Sequence, residues 1–271
     1  MLRKLTEHKG ALLSYGISGS DGPVLVLLHG FGEDSGIWAR QQELAAHCRL
    51  LLPDLPGSGR SAPTGDLSME GMADAVAAML DAEGISRCIL VGHSMGGYVA
   101  LAFGERYPGR LQGLGLFHST AYADTEEKRE TRRKGIAFIE KNGGTAFLRA
   151  STPNLYSEES RTRRPELVAA HLSGTLPVAD ATLTAYYRSM IERPDRSAML
   201  KDAKIPVLFL LGRHDNAVPL KDGLAQCVLP DRGMVFLMNE AGHMGMVECP
   251  EAANDQLLTY LRFVNQWTAA Q

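Results

Sequence analysis

The residues with the clearest chemical potential are Gly92-His93-Ser94-Met95-Gly96-Gly97. They follow the apolar run Cys88–Gly92 and open a helical pattern, Met95–Tyr107, which Pro108 stops. A serine on a tight strand-to-helix turn, with glycine two positions to either side, is the setting of a nucleophile elbow. The need is steric. The turn holds the serine in a strained backbone conformation, and Gly92 and Gly96 let neighbouring backbones approach. Its hydroxyl then sits beside a helix N-terminus, whose dipole favours developing negative charge.

Serine alone is a poor nucleophile and needs a general base, itself oriented by a carboxylate. Of eight histidines, His243 in Glu240-Ala241-Gly242-His243-Met244 follows the last strand candidate and is the expected base. His118, at a strand end, is the second candidate for base and a pocket residue. His29 reads as structural, and His93 sits inside the elbow, where its side chain is expected to point away from the serine hydroxyl. His8, His47, His171 and His214 read as surface or structural residues. Asp215, in Gly212-Arg213-His214-Asp215-Asn216-Ala217-Val218-Pro219, follows the next-to-last strand and is the expected acid. Asp124 is the second candidate, and Asp54 reads as a turn-capping residue. A tetrahedral intermediate needs two N–H donors. Met95, after the serine, and Phe31, in His29-Gly30-Phe31-Gly32 at the end of the first buried strand, are the expected pair.

These residues need a frame. The runs Val24–Gly30, Arg49–Leu55, Cys88–Gly92, Leu111–Phe117, Pro206–Gly212 and Val235–Met238 are continuously apolar or nearly so, as in strands buried on both faces. A hairpin is expected over Leu2–Thr6 and Ala11–Ile17. Helices are expected around Ile37–Ala46, with Ser35 as cap, after Ser68, and along the stripe Ala253, Leu257, Tyr260, Leu261 and Val264. Strand–helix–strand repetition means an α/β fold with a parallel sheet. Between about Thr120 and Leu200 no run reads as a strand, and the charged, aromatic pattern is helical. The division expected is a core of 1–119 and 200–271 with a helical insert of 120–199.

Composition narrows the function classes. With 271 residues, 45% of them hydrophobic and 22% charged, a disordered or coiled-coil chain is excluded. A net charge of −3 offers no pull toward nucleic acid or anionic membrane. Four cysteines without a CxxC pair argue against a disulfide scaffold or zinc ribbon, and suit a reducing compartment. The N-terminus lacks a signal-peptide run, and no stretch reaches the ~18 apolar residues of a membrane span. A cytoplasmic location is expected.

The motifs HGFG at 29–32, DLPGSGRS at 54–61, GHSMGG at 92–97, GRHDNAVP at 212–219 and AGHM at 241–244 together resemble the α/β-hydrolase superfamily. The resemblance implies a mainly parallel eight-stranded sheet, with the helical insert as a cap. It implies Ser94 as nucleophile, His243 as base, Asp215 as acid, and the Phe31 and Met95 amides as oxyanion hole. No metal or organic cofactor is expected. A serine hydrolase acting on a small ester or related acyl substrate is the leading reading. Lys128–Lys134 reads as a solvated helix face, so a neutral, partly apolar substrate is expected, with Phe31, Trp38, His118, Tyr122, Phe147, Tyr156 and Met244 as pocket candidates.

Other branches are weighed by residue. Members that cleave halides or epoxides use an aspartate nucleophile, which Ser94 disfavours. Carbon–carbon hydrolases usually carry asparagine before the nucleophile and tryptophan after the base, where this chain has His93 and Met244. A cofactor-free perhydrolase would use the same triad. A non-catalytic ligand-binding or signalling member is the reading from a different class.

Overall fold

A computed structural model describes residues 1–19 and 22–270. The chain opens with a hairpin of β1 (Leu2–His8) and β2 (Ala11–Ser18). Then come β3 (Val24–Leu28), a 3-10 helix (Ser35–Ala46), β4 (Arg49–Pro53), α1 (Met69–Ala82), β5 (Cys88–His93), α2 (Met95–Arg106) and β6 (Leu111–Phe117). After the insert the chain resumes with β7 (Val207–Gly212) and, beyond a short helix, β8 (Gly233–Met238). The eight strands form one sheet in the order β1-β2-β4-β3-β5-β6-β7-β8. The β1–β2 and β2–β4 pairs are antiparallel and the rest are parallel.

The strands alternate their side chains between two cores. Val26, Leu28, Leu51 and Leu90 pack on one face against α1 and α2, through Met72, Val76, Val99 and Phe103. Leu25, Leu27, Ile89 and Val91 face the other core, with Trp38 and Leu44 of the 3-10 helix. The C-terminal helix (Pro250–Ala269) closes that side with the stripe Ala253, Leu257, Tyr260, Leu261 and Val264. Burial on both faces is why the strand runs are so uniformly apolar.

The expected cap of the first helix is corrected. Asp34, not Ser35, caps it, its carboxylate accepting from the Gly36 amide at 2.7 Å. Ser35 is engaged elsewhere: its hydroxyl accepts from Arg3 and its amide donates to Asp54. The Ser68 cap stands as expected, accepting from Gly71 at 3.0 Å. Asp54 also accepts from the Arg60 amide, the turn-bracing role its position suggested.

Between β6 and β7 the chain is helical, with no strand among the described residues. The helices are α3 (Glu126–Asn142), α4 (Gly144–Ser151), α5 (Glu158–Arg163), α6 (Pro165–Gly174), α7 (Asp180–Glu192) and α8 (Ser197–Asp202). Tertiary bonds fasten this insert to the sheet-bearing part. The Tyr186 hydroxyl of α7 reaches the Pro56 carbonyl and Ser58 Oγ. Ser189 donates to the Leu67 carbonyl, and the Leu176 amide donates to Asp34. Buried Arg196 pairs with Glu105 and Glu70.

Candidate active site

Ser94 stands between β5 and α2 with φ of +50° and ψ of −116°. A non-glycine residue with positive φ is strained and persists only where its surroundings fix it. The Ser94 amide donates to the Phe117 carbonyl at 3.0 Å, and its carbonyl accepts from Ser119 Oγ at 2.7 Å. The turn is possible because its neighbours lack side chains. A Cβ on Gly92 would lie 2.1 Å from the Gly96 carbonyl oxygen, and one on Gly96 would lie 2.6 Å from the Leu28 and His29 oxygens.

His243 sits in the loop after β8, held by its backbone and by its ring Nδ1. Its amide donates to the Leu155 carbonyl at 2.6 Å. Its carbonyl accepts from His93 Nε2 at 2.9 Å. The amides on either side, Gly242 and Met244, donate to Glu248 Oε1 at 2.8 and 3.2 Å. Its ring Nδ1 lies 2.8 Å from Asp215 Oδ2. Asp215 Oδ1 is taken by the amides of Ala217 and Val218, each at 2.8 Å. Burial opposes the charge on Asp215, but His243 and these amides hold its pKa below the usual aspartate range. A carboxylate at Asp215 requires the proton on His243 Nδ1, which leaves Nε2 as the free ring nitrogen.

Behind this pair lie two further histidines. His93 and Glu33 form a fully buried pair, Nδ1 to Oε2 at 3.1 Å. Glu33 also accepts from the Gly30 amide at 2.7 Å. Burial works against both charges. Mutual attraction outweighs it, lowering Glu33 to about 2 and raising His93 above the usual histidine value. His93 therefore donates from both ring nitrogens, one to Glu33 and one to the backbone of His243. His118 lies against Asp215 from the other side, Nδ1 to Oδ2 at 3.6 Å, while its Nε2 accepts from the Gly245 amide. Burial pushes its pKa down to about 3, so it stays neutral.

Ser94, His243 and Phe31 line one cavity of about 140 Å³. Lys128, Arg132 and Tyr187 of the insert line it too. Phe31 stacks on Tyr187 with centroids 4.3 Å apart. The Met95 amide opens α2 and has no acceptor within the helix. A second cavity of about 540 Å³ shares Lys128 and Val218 with the first.

Several expected pocket residues lie elsewhere. Trp38 is fully buried and packs edge-on against Phe117 and His93. Tyr156 is core, its hydroxyl 3.0 Å from His171 Nδ1. Met244 is core, and His118 stands behind Asp215 rather than on the cavity. Phe147 supports Phe31 and Tyr187 from behind. Tyr122 lines the second cavity. Asp124 is apart from His243; it pairs with Arg132 at 2.5 Å and with buried Arg193 at 3.0 Å.

The solvated-face reading of Lys128–Lys134 is corrected in part. Arg133 does pair with exposed Glu126 and Glu130. Lys128 and Arg132, four residues apart on the opposite face of α3, turn inward. His171 is structural, as read, through its bond to Tyr156, and it also lines the cavity. Glu248 was not singled out, although a glutamate five residues after the base is the one signal that could have flagged it. Among the described residues, no group of three or more His, Cys, Asp or Glu side chains could hold a metal ion.

A profile of the Alpha/beta hydrolase family matches residues 25–256. The chain belongs to the alpha/beta hydrolase family. It is 31% identical to a thermophilic esterase from Thermogutta terrifontis of known structure, with a TM-score of 0.90 and coverage of 97% of this chain and 99% of that one. It is 30% identical over 261 residues to a pimeloyl-[acyl-carrier protein] methyl ester esterase of Yersinia enterocolitica, covering 93% of this hydrolase and 98% of that protein. It is equally similar, 30% over 267 residues, to a 2-hydroxy-6-oxononadienedioate/2-hydroxy-6-oxononatrienedioate hydrolase of Burkholderia vietnamiensis, with coverage of 92% and 90%. Hydrolase chemistry is thus common to these relatives, while the substrates their names give differ.

Proposed function

We propose that this protein is a serine hydrolase that cleaves a small ester through an acyl-enzyme. The observation that carries the reading is the 2.8 Å bond from His243 Nδ1 to buried Asp215, on a histidine that shares a cavity with the strained Ser94. Ser94 Oγ attacks the ester carbonyl as His243 Nε2 takes its proton. Negative charge on the carbonyl oxygen is met by the Phe31 and Met95 amides, and by the N-terminal dipole of α2. His243 then gives its proton to the leaving alcohol. A water, deprotonated by the same nitrogen, releases the acid and restores Ser94. Asp215 keeps the ring in the right tautomer and balances the imidazolium. The helical insert serves as the cap that shapes the substrate space. No cofactor, nucleic acid or membrane partner enters this scheme, and a cytoplasmic setting suits four free cysteines.

Esters are favoured over carbon–carbon substrates because His93, not an amide side chain, precedes the nucleophile and is committed to Glu33. The test is turnover of methyl and 4-nitrophenyl esters of graded acyl length. Short-chain esters should be hydrolysed, and Ser94→Ala should lower kcat by at least ~10⁴. Turnover that survives Ser94→Ala would overturn the reading.

A further inference from the structure

We propose that the substrate carries a carboxylate on one short arm, and that the Lys128 ammonium receives it. The proposal rests on the hydrolase reading above and names the substrate class for the same site. Lys128 lies where the two cavities meet, lining both. Its Nζ donates to the Ala217 carbonyl, in the loop whose amides hold Asp215. An ammonium has three N–H donors, and one carbonyl takes one of them. Among the described residues no carboxylate forms an ion pair with Lys128.

The carboxylates around the inner cavity are already engaged. Glu33 pairs with His93, Asp215 accepts from His243 and from the Ala217 and Val218 amides, and Asp124 is held between Arg132 and Arg193. His171 is driven toward its neutral form by burial. What is left over is positive. Lys128 has no counter-ion, and Arg132 spends its Nε and Nη2 on Asp124 while Nη1 has no partner among the described residues. A half-buried charge without a partner is costly, and a carboxylate supplies both the charge and two acceptor oxygens. Glu127 and Asp222 line the outer cavity only, so the anionic arm belongs on the inner side of Lys128. At about 140 Å³ the inner cavity is far below the roughly 300–1,000 Å³ of common ligand pockets, which limits that arm to a few carbons. The uncharged arm extends into the outer cavity.

The test compares monomethyl succinate with dimethyl succinate, which share a skeleton and differ by one charge. The quantity read is the ratio of their kcat/KM values. In the native protein the ratio should exceed one and should fall as salt rises. Lys128→Met should lower it at least ~10-fold, and Lys128→Arg, which keeps the charge, should retain most of it. Taking a ratio cancels damage to the shared chemistry if the Ala217 loop shifts. Hydrolysis of both esters with a ratio below one, or a ratio unchanged in Lys128→Met, overturns the carboxylate assignment and leaves the hydrolase reading standing. No hydrolysis of any ester, here or in the graded panel, overturns the hydrolase reading and this inference with it.

Discussion

Asp215 and Asp124 are both buried aspartates just beyond a sheet strand, and the sequence alone offers either as the acid. Their partners separate them. Asp215 spends one oxygen on two loop amides and the other on His243, so its charge is aimed at the ring. Asp124 spends its charge on two arginines. Asp215→Asn should therefore lower kcat by about 10⁴ in a steady-state ester assay, because the wrong tautomer of His243 is then favoured. Asp124→Asn should change kcat by less than about 10-fold, yet cost about 3 kcal/mol of stability in denaturant unfolding, because it strands buried charge. The reverse pattern would move the acid to position 124. At this scale Ser94, Asp215 and His243 were legible, since each stands in a short motif right after an apolar run. Trp38, Tyr156 and Met244 were not: an aromatic or methionine next to a motif has the same letter whether it faces a cavity or the core.

At the scale of elements, the site depends on a buried bridge. Glu33, in the loop after β3, holds His93 at the end of β5, and His93 holds the backbone of the loop after β8. Two loops are thereby tied directly to the end of β5. The pair also dictates a pH window. Glu33 is lowered from 4.5 to about 2, so its contribution is present above 4.5 and is lost as pH falls toward 2. His93 is raised from 6.5, so its contribution is complete below 6.5 and is lost as pH rises through its folded value. Glu33→Gln should cost about 3 kcal/mol relative to the native protein between pH 4.5 and 6.5, with the gap narrowing on either side. Urea unfolding of both proteins across pH 3–9 measures it, and a gap independent of pH would show that the pair is not ionised. The bridge was not legible in the sequence, because 60 positions separate its ends. The strands were, because burial on both faces leaves an unbroken apolar run. The first helix was legible in place but not in its cap, since the capping role passed from Ser35 to Asp34 once Arg3 and Asp54 had claimed the serine.

For the molecule as a whole, the sheet-bearing part carries the proposed reacting groups and the insert adds walls to their cavity. Ser94, Asp215, His243 and Phe31 come from loops after β5, β7, β8 and β3, whereas Lys128, Arg132, His171 and Tyr187 come from α3, α6 and α7. Sheet order is strongly encoded, so the first group could be assembled on paper. The insert's inward face is set by how its helices dock, through contacts such as Tyr186 on Pro56 and Leu176 on Asp34, and no local pattern announces those. That is why a run of basic residues reads as solvated until the helical period divides it into two faces. In the proposed mechanism this assembly makes Ser94, alone among the serines, a nucleophile. A fluorophosphonate probe with mass-spectrometric mapping of the adduct reads that out. One adduct is expected, on Ser94, absent in Ser94→Ala and strongly reduced in His243→Ala. A folded protein that takes no adduct, or takes it on another residue, would contradict it.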